Sequence, residues 1–208
     1  MAALIIQGAA LREMSDKVNL PFGQKESPLE GMEFSIEKAV TGDCQDLASV
    51  IREVWLLMEQ KEWFVADDWE SICRILKEGR GLGYKAIEKK TGALAGVFTV
   101  VFPGSGEENL GRDIGLSDEE LEKVAHMDTI AILPKYRGNG LQHRMMQTAE
   151  EELKSQGYKY LMCTVHPENI YSKKNAVKQG YRAVLTKEKY GGYIRDIFVK
   201  HISAVETF

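Results

Sequence analysis

The sequence predicts an α/β protein: one mixed sheet flanked by helices. Three observations carry that prediction. Apolar residues alternate at a period of two in short runs and recur at i, i+3 and i+4 in longer ones, so both strands and helices form. The two kinds of segment interleave along the chain, and glycines punctuate their ends. The length of 208 residues, with 44% hydrophobic and 28% charged, suits a single soluble domain with a terminal extension.

The elements follow in order. Residues 1–32 are broken by Pro21, Gly23, Pro28 and Gly31 and read as an N-terminal extension. It would pack on the domain or on a partner subunit, which admits a homodimer. The domain itself spans 33–208. Phe34 to Val40 alternates as a strand. A helix begins at Asp43, with Leu47, Val50, Ile51, Val54, Leu57 and Met58 on one face. A second starts near Asp67-Asp68, spaces Trp69, Ile72, Cys73 and Leu76 helically, and stops at Gly79. Gly83–Glu88 and Ala93–Phe102 form a hairpin around Lys89-Lys90-Thr91-Gly92. Pro103–Leu116 is a glycine-rich insertion, and Ser117-Asp118-Glu119-Glu120 is a capping box for a short helix. Met127–Leu133 is a strand, and the next helix stacks Leu141, Met145, Ala149 and Leu153 before Gly157. Tyr158–Val165 is a strand, Ile170–Gln179 a helix stopped by Gly180. Tyr181–Thr186 and Tyr193–Lys200 close the chain as a hairpin around Gly191-Gly192.

Composition excludes several classes. A net charge of −4 and a pI of 5.7 give no global attraction to nucleic acid or anionic membranes. No apolar run approaches the ~20 residues of a membrane helix. Leu4-Ile5-Ile6 has no basic residue before it and makes a poor signal peptide. Cys44, Cys73 and Cys163 are odd in number, far apart and without a CxxC pair. That argues against a disulfide framework or a zinc site, predicts no metal, and fits a reducing cytoplasm.

Chemistry concentrates in Leu133-Pro134-Lys135-Tyr136-Arg137-Gly138-Asn139-Gly140-Leu141-Gln142-His143-Arg144. A strand that ends in a glycine-bearing turn and then a helix leaves backbone N–H groups unpaired at the helix start. Glycine lets a ligand approach them, and the helix dipole favours an anion there. Lys135, Arg137, His143 and Arg144 add local positive charge in an acidic protein. The stretch therefore reads as a pyrophosphate cradle, or equally as a strand-to-helix turn with solvated basic residues. No GxxxxGK[ST] occurs, and Gly79-Arg80-Gly81-Leu82-Gly83 lacks GxGxxG spacing and reads as a helix stop and turn.

The turn resembles the acetyl-CoA loop of the GNAT superfamily of N-acetyltransferases, [QR]-x-x-G-x-[GA]. Arg137 matches the first position and Gly140 the fourth, while Gln142 stands at the sixth, where the family has Gly or Ala. That departure predicts some crowding at the helix start. Asn169, Ser172 and Gly180-Tyr181 resemble the family's N-x-x-[AS]…G-[FY] element, and the element order agrees over about Met32 to Lys200. The resemblance implies a GNAT-like, mostly antiparallel central sheet and acetyl-CoA as co-substrate. It implies a pyrophosphate held by Arg137, Gly138, Asn139, Gly140, Leu141 and Gln142. It implies a pantetheine arm paired with Ile130, Ala131, Ile132 and Leu133 as an added strand and lined by Asn169 and Ser172. An N–H at or near Ile132 would polarise the thioester carbonyl. The amine would attack directly, with no acyl-enzyme.

Proton transfer is less legible. A lysine-like amine of pKa ~10.4 is disfavoured as the neutral nucleophile by ~4.6 kcal/mol at pH 7. Many relatives carry a Glu five residues before the Asn and a Tyr seven after it; here those positions hold Thr164 and Ala176. His126 and Asp128, two apart on one strand face, are substitute candidates, or simply a strand-end polar pair. Tyr171 and Tyr190 are candidate thiolate donors, or packing residues. Cys163 suggests a covalent route, but a strand position favours a small core residue. Trp63-Phe64, Asp67-Asp68, Trp69 and Glu70 would suit a cationic amine, small molecule rather than protein, although either Asp also serves as a helix N-cap. Three classes remain: an N-acetyltransferase, a non-catalytic acyl-CoA-binding or regulatory module on the same fold, and an unrelated nucleotide-binding protein.

Overall fold

The computed structural model describes residues 31–65 and 68–202. The extension predicted for residues 1–32 falls outside them up to residue 30, as does Asp67. Seven strands form one sheet: β1 (Phe34–Lys38), β2 (Gly81–Glu88), β3 (Leu94–Val101), β4 (Val124–Ile132), β5 (Tyr160–Val165), β6 (Arg182–Lys189) and β7 (Tyr193–His201). Their order is β1-β2-β3-β4-β5-β7-β6. Every neighbouring pair is antiparallel except β4–β5. Among the described residues five α-helices accompany it: α1 (Cys44–Leu56), α2 (Trp69–Lys77), α3 (Asp118–Leu121), α4 (Leu141–Ser155) and α5 (Ile170–Lys178).

Alternation along β2 shows how the faces divide. Tyr84 points to α4, where its hydroxyl donates to Glu152 at 2.9 Å. Its neighbour Lys85 points the other way and pairs with Asp43, just before α1, at 2.9 Å. Burial raises the Tyr84 pKa, and the Glu152 carboxylate adds to it. On α1, Leu47, Val50, Ile51 and Val54 are buried at 6% exposure or less, and α4 buries Leu141, Met145, Met146, Ala149 and Leu153. One core cluster contains both sets. Leu57, predicted on the buried face, lies past the helix end and is exposed, whereas Met58 is buried.

Two expectations are corrected. β2 starts at Gly81, two residues before the predicted Gly83, so Gly81 and Leu82 are strand residues and not part of a turn. A Cβ on Gly83 would meet Leu47 and Leu76, so glycine there lets α1 and α2 lie close on the sheet. The cysteine reading also changes: Cys44 and Cys73 form a disulfide, with Cα atoms 5.2 Å apart. α1 and α2 pack side by side and bring together residues 29 apart in sequence. The cysteines therefore lend no support to a reducing compartment. The insertion after β3 holds a 3-10 turn at Leu110–Ile114, and Ser117 and Glu120 form the expected capping box.

Candidate active site

The site is a gap in the sheet. β4 and β5 pair only over Val124–His126 with Tyr160–Met162, yet β4 runs on to Ile132 and β5 to Val165. Against β3, the register of β4 slips between Phe98 and Val100, which leaves one extra residue around Asp128 and Thr129. A bulge bends its strand, and this one lies where β4 leaves β5. Thr99, fully buried, sits across from it. Its hydroxyl accepts from Thr129 N–H at 3.2 Å and lies 3.4 Å from Asp128 Oδ2.

The slot so opened has a cavity volume of about 140 Å³. Met127, Asp128 and Ile130 line it from β4, and Cys163, Thr164 and Val165 from β5. α1 contributes Val54, the α1–α2 connection Met58, Trp63 and Phe64, and α4 and α5 contribute Gln142, Met146, Ser172 and Ala176, with Asn169 capping α5. Pairing of β4 with β3 ends as Leu133 N–H donates to Ala95 O, and a 3-10 turn at Pro134–Tyr136 leads to α4. Gly138 and Gly140 have φ of 84° and 67°, a region closed to most other residues. Asn139 Nδ2 donates to Tyr136 O at 3.1 Å and Arg137 Nε to Ile132 O at 3.3 Å, which ties the turn to the strand end. The first turn of α4 leaves its N–H groups without intrahelical partners.

The predicted residues sort as follows. Asp128, Ile130, Gln142, Asn169 and Ser172 line the slot, and the Arg137–Gly140 turn adjoins it through Gln142. Ala131, Leu133 and Leu141 are core residues that can offer only their backbone. Asn169 Oδ1 accepts from Ser172 N–H at 3.0 Å, so that oxygen is engaged as the α5 cap. Gln142 Oε1 accepts from Asn175 Nδ2 at 3.2 Å. Its side chain thus reaches to α5 while lining the slot.

His126 is placed apart from this group. Its Nε2 accepts from Leu110 N–H at 3.1 Å, and it does not line the slot. Burial, with the Lys189 charge behind it and Asp113 opposing, pushes its pKa down to about 4, so it stays neutral. Burial pushes the Cys163 thiol up to about 12, which leaves it protonated and a poor nucleophile. Tyr171 is half exposed on α5 and outside the slot lining, whereas Tyr190 OH lies 3.1 Å from Thr164 Oγ1.

On the side where the sequence predicts the acceptor, Trp63 stacks on His166 with ring centroids 5.9 Å apart. Arg195, 3% exposed, donates to Glu62 O at 2.6 Å and straps this connection to β7. Asp68 and Trp69 are not on the slot. Asp68 caps α2 through Ser71 N–H at 2.7 Å and shares with Trp69 a separate groove lined by Ala48, Arg52 and Trp55. The carboxylate at the slot is Asp128. Sequence reasoning missed Thr99, because nothing local marks a bulge. It read Val54 and Met58 as core only, since their helical spacing carries both meanings.

The acetyltransferase (GNAT) family matches residues 48–181, more than half the sequence. The chain belongs to this family. Solved structures share the fold. A GNAT-family acetyltransferase from Streptococcus pneumoniae superposes with a TM-score of 0.62 at 18% identity, over 82% of this chain and 100% of that one. The Salmonella typhimurium protein yncA, solved with its cofactor acetyl-CoA, gives 0.60 at 14%, over 85% and 96%. The ribosomal-protein-S18-alanine N-acetyltransferase of Escherichia coli gives 0.59 at 16%, over 85% and 99%. At such identities the likeness is one of fold. No curated protein sequence matches. The chain is thus a GNAT acetyltransferase, and acetyl-CoA is the cofactor of its family.

Proposed function

We propose that this acetyltransferase moves the acetyl group to a small primary amine by direct attack on the thioester. The observation that carries the reading is the slot between β4 and β5, which joins the turn at the head of α4 to the Asp128 bulge. Acetyl-CoA would lay its pyrophosphate on the N–H groups of Arg137 to Gln142. Its pantetheine arm would fill the place β5 vacates, against the backbone of Ile130 to Leu133, with Asn169 and Ser172 beside it. A β4 N–H near the bulge would polarise the thioester carbonyl.

Asp128 would hold the incoming ammonium, which gives one proton to solvent to become the neutral amine, and would take the second proton as nitrogen attacks, a base role that Thr164, standing where relatives carry Glu, is not equipped to fill. The nitrogen bonds the acetyl carbon, the C–S bond breaks, and the second proton lost by nitrogen is matched by one gained at sulfur, the first having gone to solvent. Val54, Met58, Trp63 and Phe64 make the facing wall apolar, which suits an amine with a compact apolar body. This replaces the acidic patch around Asp68 as the basis for acceptor choice.

A thiol-release assay over alkyl and aromatic monoamines, polyamines, amino-acid derivatives and peptides tests the reading. Turnover should favour apolar monoamines, and CoA should protect the protein from unfolding where ATP and NAD do not. Protection by CoA with no turnover on any amine would leave the acyl-CoA-binding module instead.

A further inference from the structure

The turn between β6 and β7 contains Tyr190, the one non-glycine residue among the described residues with a positive φ, 54°. Gly191 follows at 77°, and Gly192 N–H donates to Lys189 O at 3.3 Å. Tyr190 and Gly191 thus occupy the two central positions of a tight hairpin turn that needs φ > 0 at both. Asn, Asp or Gly meets that need at little cost, and a bulky aromatic does not. Strain of this kind persists where something else requires the residue. The core does not require it, because the residue is 45% exposed.

What Tyr190 does reach is Thr164, which lines the slot. Its hydroxyl lies 3.1 Å from Thr164 Oγ1, on the β5 wall, while Asp128 stands on the β4 wall. Burial raises the Tyr190 pKa first, the Asp128 charge adds to that, and the bond to Thr164 only partly opposes them. The phenol therefore keeps its proton through neutral pH and can serve as a donor.

Resting on the acetyl-transfer reading, we propose that Tyr190 and Thr164 form a two-hydroxyl proton path that protonates the departing CoA sulfur. Thr164 is the member facing the slot, and Tyr190 acts through it. As the C–S bond breaks, sulfur takes the Thr164 Oγ proton and Thr164 takes the phenol proton. The phenolate is refilled from Asp128, through solvent, with the proton that the carboxylate took from nitrogen. Counted from the neutral amine, one proton moves from nitrogen to sulfur, and nothing is oxidised or reduced. The left-handed turn keeps Tyr190 because no residue better suited to it carries a hydroxyl that far.

The test measures thiol release and acetyl-CoA binding in parallel. Tyr190→Phe and Thr164→Val should each lower kcat by about 100-fold, the lower range for losing a proton-transfer group. KM for acetyl-CoA should be unchanged. The double variant should be no slower than either single one, since the two act as a unit, and Thr164→Ser should restore most of the rate lost in Thr164→Val. Tyr190→Asn should raise the melting temperature by relieving the turn yet lose the same activity, which a purely structural tyrosine would not do. Tyr190→Phe within about threefold of wild-type kcat, or losses that multiply in the double variant, would overturn the path. A wild type that binds acetyl-CoA but acetylates no amine refutes the acetyl-transfer reading itself, and this path with it.

Discussion

Gly140→Ala separates the cofactor role proposed for the α4 turn from its structural role. Gly140 sits at φ 67° at the N-cap of α4, and a Cβ built there would meet no protein atom within 4 Å. The cost to the fold is therefore conformational, ~1–2 kcal/mol for an L-residue in the left-handed region. A protein of this size loses ~2–4 °C of melting temperature per kcal/mol, so the apo variant should melt about 2–8 °C lower. The same open space is where phosphate oxygens would approach the helix N–H groups, and the methyl would occupy it. Acetyl-CoA at 100 times its Kd stabilises the wild type by ~2.7 kcal/mol, a rise of about 5–11 °C. A hundredfold loss of affinity in the variant would leave ~0.4 kcal/mol, a shift of about 1 °C at the same concentration. Four melting curves, wild type and variant with and without acetyl-CoA, read both numbers. An undiminished acetyl-CoA shift in the variant refutes the cradle. A fall of the apo melting temperature by more than about 15 °C refutes the claim that the glycine is conformational only.

Three further outcomes are expected. Asp128→Asn should lower kcat by at least ~100-fold with acetyl-CoA binding intact, and its rate should climb with pH toward the amine pKa of ~10.4; a loss under tenfold would remove Asp128 from proton transfer. Cys73→Ser should destabilise the protein by ~3.6 kcal/mol, from closure of a loop with a sequence separation of 29. That loop holds Trp63 and Phe64, so KM for the amine should rise too; an unchanged urea midpoint in oxidising buffer would show the pair contributes nothing. His126 has a folded pKa of about 4, below its unfolded value, so the unfolded chain binds the extra proton between the two. Stability should be full above pH ~6.5 and fall by about 2–3 kcal/mol as pH drops toward 4, and His126→Gln should flatten that slope. An equal slope in wild type and variant would assign the acid sensitivity elsewhere.

The sequence by itself determined what is local. Apolar spacing located α1, α4 and every strand, because a helix or strand face is written within one or two turns of chain. Ser117 and Glu120 announced their capping box for the same reason. The glycines at 138 and 140 marked the head of α4, since their φ is a property of single residues. The tertiary structure decided what depends on distant partners. The β4–β5 gap lies at a bulge read only against β3, where Asp128 lines the slot with Thr99 bonded behind it, while His126 turns to Leu110. Asp68 spends its carboxylate on a helix cap, a choice its composition left open. Cys44 meets Cys73 only because two helices pack, Arg195 finds Glu62 across 133 residues, and Tyr190 finds Thr164 across 26. Contacts of that kind are set by how the sheet and helices stack, and no period or spacing along the chain encodes them.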